Sequence, residues 1–399
     1  MSLFSTVVQA PADPILGLTE KFVADQRPTK VNLGVGVYQD ATGKLPLLHC
    51  VKLAEQRLAE DPKPRGYLPI DGLPSYTAYV RQLVFGADSA AVADNQIVTV
   101  ESLGGTGALK LGADFLRQVN PEATVLVSDP SWENHVALFT RAGFDVSTYR
   151  YYDAQHKGID FDGMLSDLRA ARPGTIVVLH ACCHNPTGYD LDRDQWIQVL
   201  DVIEANGLTA FLDMAYQGFS ESLDADAWVV RTFAARLDNL FCASSFSKNF
   251  GLYGERVGGL SVLCRDAAEA ARVRSQLKIV VRTNYSNPPT HGALLVATVL
   301  ADPELKQLWL DELAQMRDRI KSMRTSLARH LADAGLPQMG HVTKQIGMFS
   351  YLGLNREQML RLWEEFGVYG TDAGRICVAA LNERNLGYVA EAITAVVNR

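Results

Sequence analysis

Short apolar runs recur along the chain at Gln96–Val100, Thr124–Ser128, Thr175–His180, Thr209–Leu212, Leu240–Ala243 and Val257–Leu263. Runs of this length predict strands buried on both faces. Between them, Ala108–Gln118, Trp132–Ala142, Asp194–Asn206 and Ala225–Ala235 carry helical patterns. Strand alternating with helix implies crossover connections, so the expected architecture is α/β with a largely parallel sheet covered on both sides. Ligands in such sheets bind beyond the carboxyl ends of the strands. After about Pro303 the pattern changes. Leu305–Ala334 is one long amphipathic stretch, followed by strand candidates at Met348–Leu352 and Arg375–Ala380 and helices at Glu357–Phe366 and Asn385–Val397. This predicts a second, smaller α+β lobe. The first dozen residues read as an arm.

A length of 399 residues suits one large domain or two that share an interface. The net charge of −7 speaks against nucleic acid as a partner, which needs a basic face to neutralise phosphates. Cys50, Cys182, Cys183, Cys242, Cys264 and Cys377 have no framework spacing, and two are adjacent; that points to a reducing compartment. Met1-Ser2-Leu3-Phe4 lacks the basic start and apolar core of a signal peptide. No apolar run reaches the roughly 18 residues of a membrane span. The expectation is a soluble, cytoplasmic protein with no membrane partner.

Within this frame one lysine stands out. Lys248 lies in Ser244-Ser245-Phe246-Ser247-Lys248-Asn249-Phe250-Gly251, just past the apolar run Leu240–Ala243. An ammonium there is costly to bury unless it is paired. A desolvated lysine has its pKa driven down and becomes a nucleophile toward aldehydes. Ser245, Ser247 and Arg256 stand close in sequence, and hydroxyls with a guanidinium suit a phosphate monoester. An aldehyde that carries a phosphate is pyridoxal 5'-phosphate (PLP). The plainer alternative is a surface lysine in a Ser/Gly loop.

Other strand ends carry compatible chemistry. Asp213 and Tyr216 follow Thr209–Leu212. Asp213 could cap a helix, or serve as the acidic partner of a pyridine nitrogen. Asn185 sits in the turn Asn185-Pro186-Thr187-Gly188 and could reach a ring hydroxyl together with Tyr216. Ser102-Leu103-Gly104-Gly105-Thr106-Gly107 reads as an anion-binding loop opening a helix, with glycine spacing unlike the dinucleotide or Walker patterns. Trp132 is either core or a platform for a ring, and His135 would then support Asp213 from behind.

His180-Ala181-Cys182-Cys183-His184 offers metal-ligand types. A continued strand would hold the two histidines roughly 13 Å apart at about 3.3 Å per residue, so no metal is expected. Arg375 heads an apolar run, and Arg282 follows Ile279-Val280-Val281. Such arginines are usually salt-bridged, unless a carboxylate substrate is expected.

Together these residues resemble the class I aspartate and aromatic-amino-acid aminotransferases of PLP fold type I. The likeness runs from Pro11-Ala12-Asp13-Pro14-Ile15-Leu16-Gly17-Leu18 through Val31-Asn32-Leu33-Gly34-Val35-Gly36-Val37-Tyr38 to Gly374-Arg375, with Cys182–Gly188 and Asp213-Met214-Ala215-Tyr216-Gln217-Gly218-Phe219 its most specific motifs beside the lysine segment. The resemblance implies Lys248 as the lysine that condenses with PLP and shuttles the proton. Asp213 would meet the pyridine nitrogen, Asn185 and Tyr216 the ring hydroxyl, and Trp132 would stack on the ring. Gly105, Thr106, Ser245 and Arg256 would hold the phosphate. Tyr67 would reach the phosphate in the partner subunit. Arg375 would clamp the substrate α-carboxylate, Gly36 would approach the substrate through its backbone, and Arg282 would come from the other subunit of a homodimer with shared active sites. The implied division is an arm at 1–12, a small domain of 13–45 and 315–399, and a large PLP-binding domain of 46–314.

The chain departs from its relatives at Thr371-Asp372-Ala373-Gly374-Arg375, where a carboxylate three residues away could occupy Arg375. The reading implied is transamination between phenylalanine, tyrosine or aspartate and 2-oxoglutarate. The alternative is an aspartate aminotransferase with minor aromatic activity. A PLP-binding regulator would need a basic DNA-binding segment, and two substrate-facing arginines favour transamination over decarboxylation or elimination.

Overall fold

The computed structural model describes residues 2–10 and 16–398. The expected arm is therefore seen only in part: residues 2–10 form turns without helix or strand, and residues 11–15, the first part of the 11–18 stretch of the resemblance, lie outside the described residues.

Seven strands build the main sheet: β1 (Ile97–Leu103), β2 (Thr124–Asp129), β3 (Asp145–Arg150), β4 (Ile176–His180), β5 (Thr209–Met214), β6 (Leu240–Ser245) and β7 (Val257–Leu263). Their spatial order is β1-β7-β6-β5-β4-β2-β3. All neighbours are parallel except β7, which is antiparallel to both β1 and β6. The central strands are buried along their length because helices cover both faces. Leu179, Leu212 and Cys242 belong to one hydrophobic cluster, and Val178, Phe211 and Ala243 to the other, as the alternation of a strand requires. Sequence patterning did not reveal β3. As an edge strand it is largely exposed and carries no apolar run.

The fold aims this sheet at one place. β1, β2, β4, β5 and β6 all point their carboxyl ends to the same edge. The reversal between β6 and β7 forces residues 246–256, with Lys248 among them, to turn on that edge. The turn is clamped from behind. Trp309 donates Nε1–H to the Asn249 carbonyl at 2.7 Å and stacks on Phe250 at 4.4 Å. Both rings are buried, each worth roughly 1.5–3 kcal/mol.

Trp309 belongs to the helix Pro303–Asp333, started by Pro303 and by the Asp302 carboxylate, which accepts from Glu304 and Leu305 N–H. The expected domain boundary at 314/315 falls inside this unbroken helix. Beyond it, Phe349–Tyr351 pairs antiparallel with Arg375–Cys377, and Val31–Asn32 pairs parallel with Val368–Tyr369. The strand expected over Arg375–Ala380 ends at Cys377 and becomes a 3-10 turn, Val378–Ala380; Leu381 N–H closes that turn on the Val378 carbonyl. The helix expected over Ala225–Ala235 is two short ones, Leu223–Asp226 and Trp228–Ala234. Asp226 is drawn inward to accept from the N–H groups of Gly218, Ser220 and Glu221. Among the described residues no helix is long and apolar enough to cross a membrane.

Candidate active site

At the sheet edge lies a cavity of about 280 Å³ lined by Gly36, Gly105, Thr106, Trp132, Asn185, Asp213, Tyr216, Ser245, Lys248, Arg256 and Arg375. These are the residues singled out in the sequence, except Tyr67 and Arg282.

One end of the cavity is built to receive an anion. The helix Gly104–Val119 begins there, and its N-cap residue Leu103 supplies no side-chain acceptor, so first-turn N–H groups stay available. Gly104 has φ +68°, and a Cβ on it would stand 2.5 Å from Arg256 Nη2. Only glycine meets both demands. Arg256 adopts φ 56° and donates to the Tyr253 carbonyl at 2.9 Å and to Ser247 Oγ at 3.4 Å. Ser245 Oγ donates to Ser247 Oγ at 3.1 Å.

At the other end, Asp213 is 5% exposed, and Oδ2 lies 2.9 Å from His135 Nε2. The second ring nitrogen of His135 meets Ser131 Oγ at 2.9 Å, so His135 supports the carboxylate as expected. Burial alone would raise the Asp213 pKa, but the His135 hydrogen bond and nearby positive charge hold it below the usual carboxylate value.

Lys248 stands between the two ends, with Nζ 5.1 Å from the Tyr216 ring centre. Burial brings its pKa down to about 8 against the upward pull of Asp213, and Arg256 and Arg375 lower it further. Its Nζ makes no hydrogen bond or ion pair with any described residue. Burial pushes the Tyr216 phenol up, opposed by Arg375.

Arg375 is 1% exposed. It donates to Asn185 Oδ1 at 2.9 Å and the Gly34 carbonyl at 2.7 Å, lies 4.3 Å over the Phe349 ring, and leaves Nε buried without a partner. With Oδ1 taken, Asn185 has its amide N–H groups to offer. The concern over Asp372 is resolved. That carboxylate is turned outward and pairs with Arg356 at 3.2 Å. Gly36 is packed so closely that a Cβ would meet Phe349 at 2.6 Å.

The metal-like run was misjudged in geometry. The rings of His180 and His184 are 4.4 Å apart instead of roughly 13 Å, because the strand ends at His180 and the chain folds back, with Cys183 at φ 53°. His184 is tied to Ser128 and Thr187 hydroxyls, both at 2.9 Å. His180 lines the cavity with neither ring nitrogen bonded. Burial drives its pKa to about 3, the neighbouring His135 adding to the effect, so it is neutral. His135, His180 and Asp213 bring ligand-type atoms within 4.8 Å of one another, with both nitrogens of His135 already engaged. Sequence reading gave His180 no role at the site. The signal available in the sequence was its place at the end of the apolar run Thr175–His180; its position directly opposite Asp213 comes only with the register.

Tyr67 is 95% exposed. Arg282 is exposed too, in the last turn of the helix Ala267–Asn284, where it bonds Ser286 Oγ. The two share a face: Asn287 Nδ2 donates to the Leu68 carbonyl at 3.1 Å, and Lys278 pairs with Asp71 at 3.3 Å.

An unpaired lysine between a buried carboxylate and an anion cup, with an indole flanking them, fits a planar aldehyde carrying a phosphate. On this sheet they define PLP fold type I. The chain belongs to the family described as aminotransferase class I and II, which residues 28–393 match. It is 56% identical to the aspartate aminotransferase of Pseudomonas aeruginosa over 398 residues, covering 100% of both chains. It is 48% identical to the aromatic-amino-acid aminotransferase of Escherichia coli, over 99% of this chain and 100% of that one. Among solved structures, the aromatic-amino-acid aminotransferase from Burkholderia pseudomallei covalently bound to pyridoxal phosphate is similar at 60% identity and TM-score 0.97, covering 99% of this chain and 100% of that one.

Proposed function

We propose that this aminotransferase uses PLP and Lys248 to transfer amino groups between aspartate, phenylalanine or tyrosine and 2-oxoglutarate, in alternating half-reactions. The observation that carries the reading is the Lys248 amine, unpaired among the described residues and with its pKa lowered to about 8, facing Asp213, the anion cup and Arg375. PLP, when bound, supplies the aldehyde that takes up the amino group and a ring that withdraws electrons. Lys248 Nζ takes the α-proton and returns it, which a base of pKa near the working pH does best. Asp213, held ionised by His135, would offer its negative charge to the ring nitrogen of bound PLP. Asn185 and Tyr216 turn polar hydrogens toward the ring hydroxyl, and Trp132 covers one ring face. Gly105, Thr106, Ser245 and Arg256 hold the phosphate. Arg375 holds the substrate α-carboxylate, pre-aimed by Asn185, Gly34 and Phe349, while Gly36 lets backbone approach the substrate.

The substrate range is read from two features. Relatives named for aspartate and for aromatic amino acids both match nearly full length. Val37, Gln39 and Leu45 follow Gly36; Val37 lines the cavity, and an apolar wall there can take an aromatic ring by burial. Tyr67 and Arg282 support a homodimer, since each is exposed yet would complete a partner's site. Residues 13–45 and 315–399 would act as the small domain around 46–314, and six buried free cysteines suit a cytoplasmic setting.

Borohydride should fix the cofactor to Lys248, and Lys248→Ala should lose turnover while still binding PLP; a label on another lysine overturns the assignment. Mixing inactive Lys248→Ala and Arg282→Ala protomers should restore part of the aspartate activity, and no rescue after verified exchange removes the shared site. Arg282→Ala should cost far more activity on aspartate than on phenylalanine. Equal losses, or wild-type phenylalanine turnover far below aspartate turnover, favour the aspartate-specific alternative.

A further inference from the structure

A second cavity, of about 430 Å³, lies between the turn after Tyr216, the helix Pro303–Asp333 and the segment 345–347. Its charge is lopsided. Arg317, Lys321 and Arg324 line it, against one carboxylate, the exposed Glu221. The three cations stand four and three residues apart on one helix, where like charges meet and disfavour the helix.

Arg324 makes the imbalance acute. It is 3% exposed and gives Nη2 to the Gly347 and Phe349 carbonyls at 2.7 and 2.8 Å, and Nε to Ser350 Oγ at 3.4 Å. Nη1 bonds no described residue, and no described carboxylate pairs with the guanidinium. Buried charges are ordinarily paired; here burial alone lowers the Arg324 pKa to about 10, against a weak upward pull from Cys183 and Cys377. Lys321 has no ion pair among the described residues either. Arg317 contacts the Gly218 carbonyl at 3.3 Å and the outward-facing Asp318 at 3.6 Å.

We propose that this cavity is a binding site for a small oxyanion, a carboxylate or phosphate group, with Arg324 deepest and Arg317 and Lys321 closing on it from the same helix. Such a ligand would supply the missing counter-charge and would bridge the turn after Tyr216 to the helix. The site is distinct from the PLP cavity, which shares no lining residue with it.

The test is calorimetric titration of inorganic phosphate into the PLP-loaded protein, whose cofactor phosphate position is already filled, at constant ionic strength. Saturable binding is expected, weakened at least about tenfold in Arg317→Gln/Lys321→Gln, the loss of charge-assisted hydrogen bonds, with kcat unchanged. Glu221→Gln, which removes the opposing charge, should tighten phosphate binding severalfold and serves if the double variant fails to fold. Acetate in place of phosphate identifies the oxyanion class by which binds more tightly. No saturable binding of either probe, or binding untouched by these substitutions, overturns the proposal.

Discussion

Asp213→Asn isolates charge from shape. The substitution keeps the side-chain volume and leaves an oxygen for His135 Nε2, now 2.9 Å from Oδ2, so the site should fold as before. It removes the negative charge that would face the protonated ring nitrogen of bound PLP, in a place only 5% exposed. Breaking a buried charge pair by removing one partner costs about 3–5 kcal/mol. At roughly 1.36 kcal/mol per decade of rate, kcat/KM should fall by about 10²–10⁴. A second reading is independent of turnover. Asp213 raises the Lys248 pKa, so its neutralisation should move that pKa below about 8. The assays are single-turnover rates with aspartate and phenylalanine, and the pH dependence of cofactor attachment to the PLP-free protein. A loss under tenfold with folding intact, or an unmoved attachment profile, would refute the charge argument.

If the neutral Lys248 amine is the nucleophile proposed above, cofactor attachment in the wild type should quicken as pH rises through about 8 and level off above it; continued acceleration toward the ordinary lysine pKa would contradict burial as the cause. Gly104→Ala forces a Cβ against Arg256 and strains φ +68°, a cost of about 1–3 kcal/mol, so PLP affinity in equilibrium dialysis should drop about tenfold or more; unchanged retention removes Arg256 from the phosphate cup. Glu101 is 2% exposed and burial raises its pKa from 4.5 to about 7, partly offset by the Leu73 N–H bond. The unfolded chain therefore holds fewer protons between these values, and stability falls as pH rises through that window. Glu101→Gln should gain on the wild type by up to about 3 kcal/mol from pH 5 to pH 8 in urea midpoints; a gain equal at both pH values would show that ionisation is not involved.

The sequence by itself determined which residues stand at strand ends, because apolar runs and crossover helices are set by periodicity within a few neighbours. Lys248, Asp213, Asn185, Trp132 and the Gly104–Thr106 loop were legible for that reason, and Val257–Leu263 matches its strand to the residue. Edge strand β3 was not legible, since an exposed strand has no apolar run to betray it. Tertiary structure alone decided how the strand ends meet. Register sets His180 opposite Asp213, and a fold-back brings His184 to it, which a count of residues along an extended strand could not foresee. It also turned Asp372 toward Arg356 and gave Arg375 the Asn185 and Gly34 oxygens, 190 and 341 residues away in the chain. Partners so distant in sequence leave no local pattern. Their choice is fixed only when the buried guanidinium must find acceptors among whatever the packed core brings within hydrogen-bond reach.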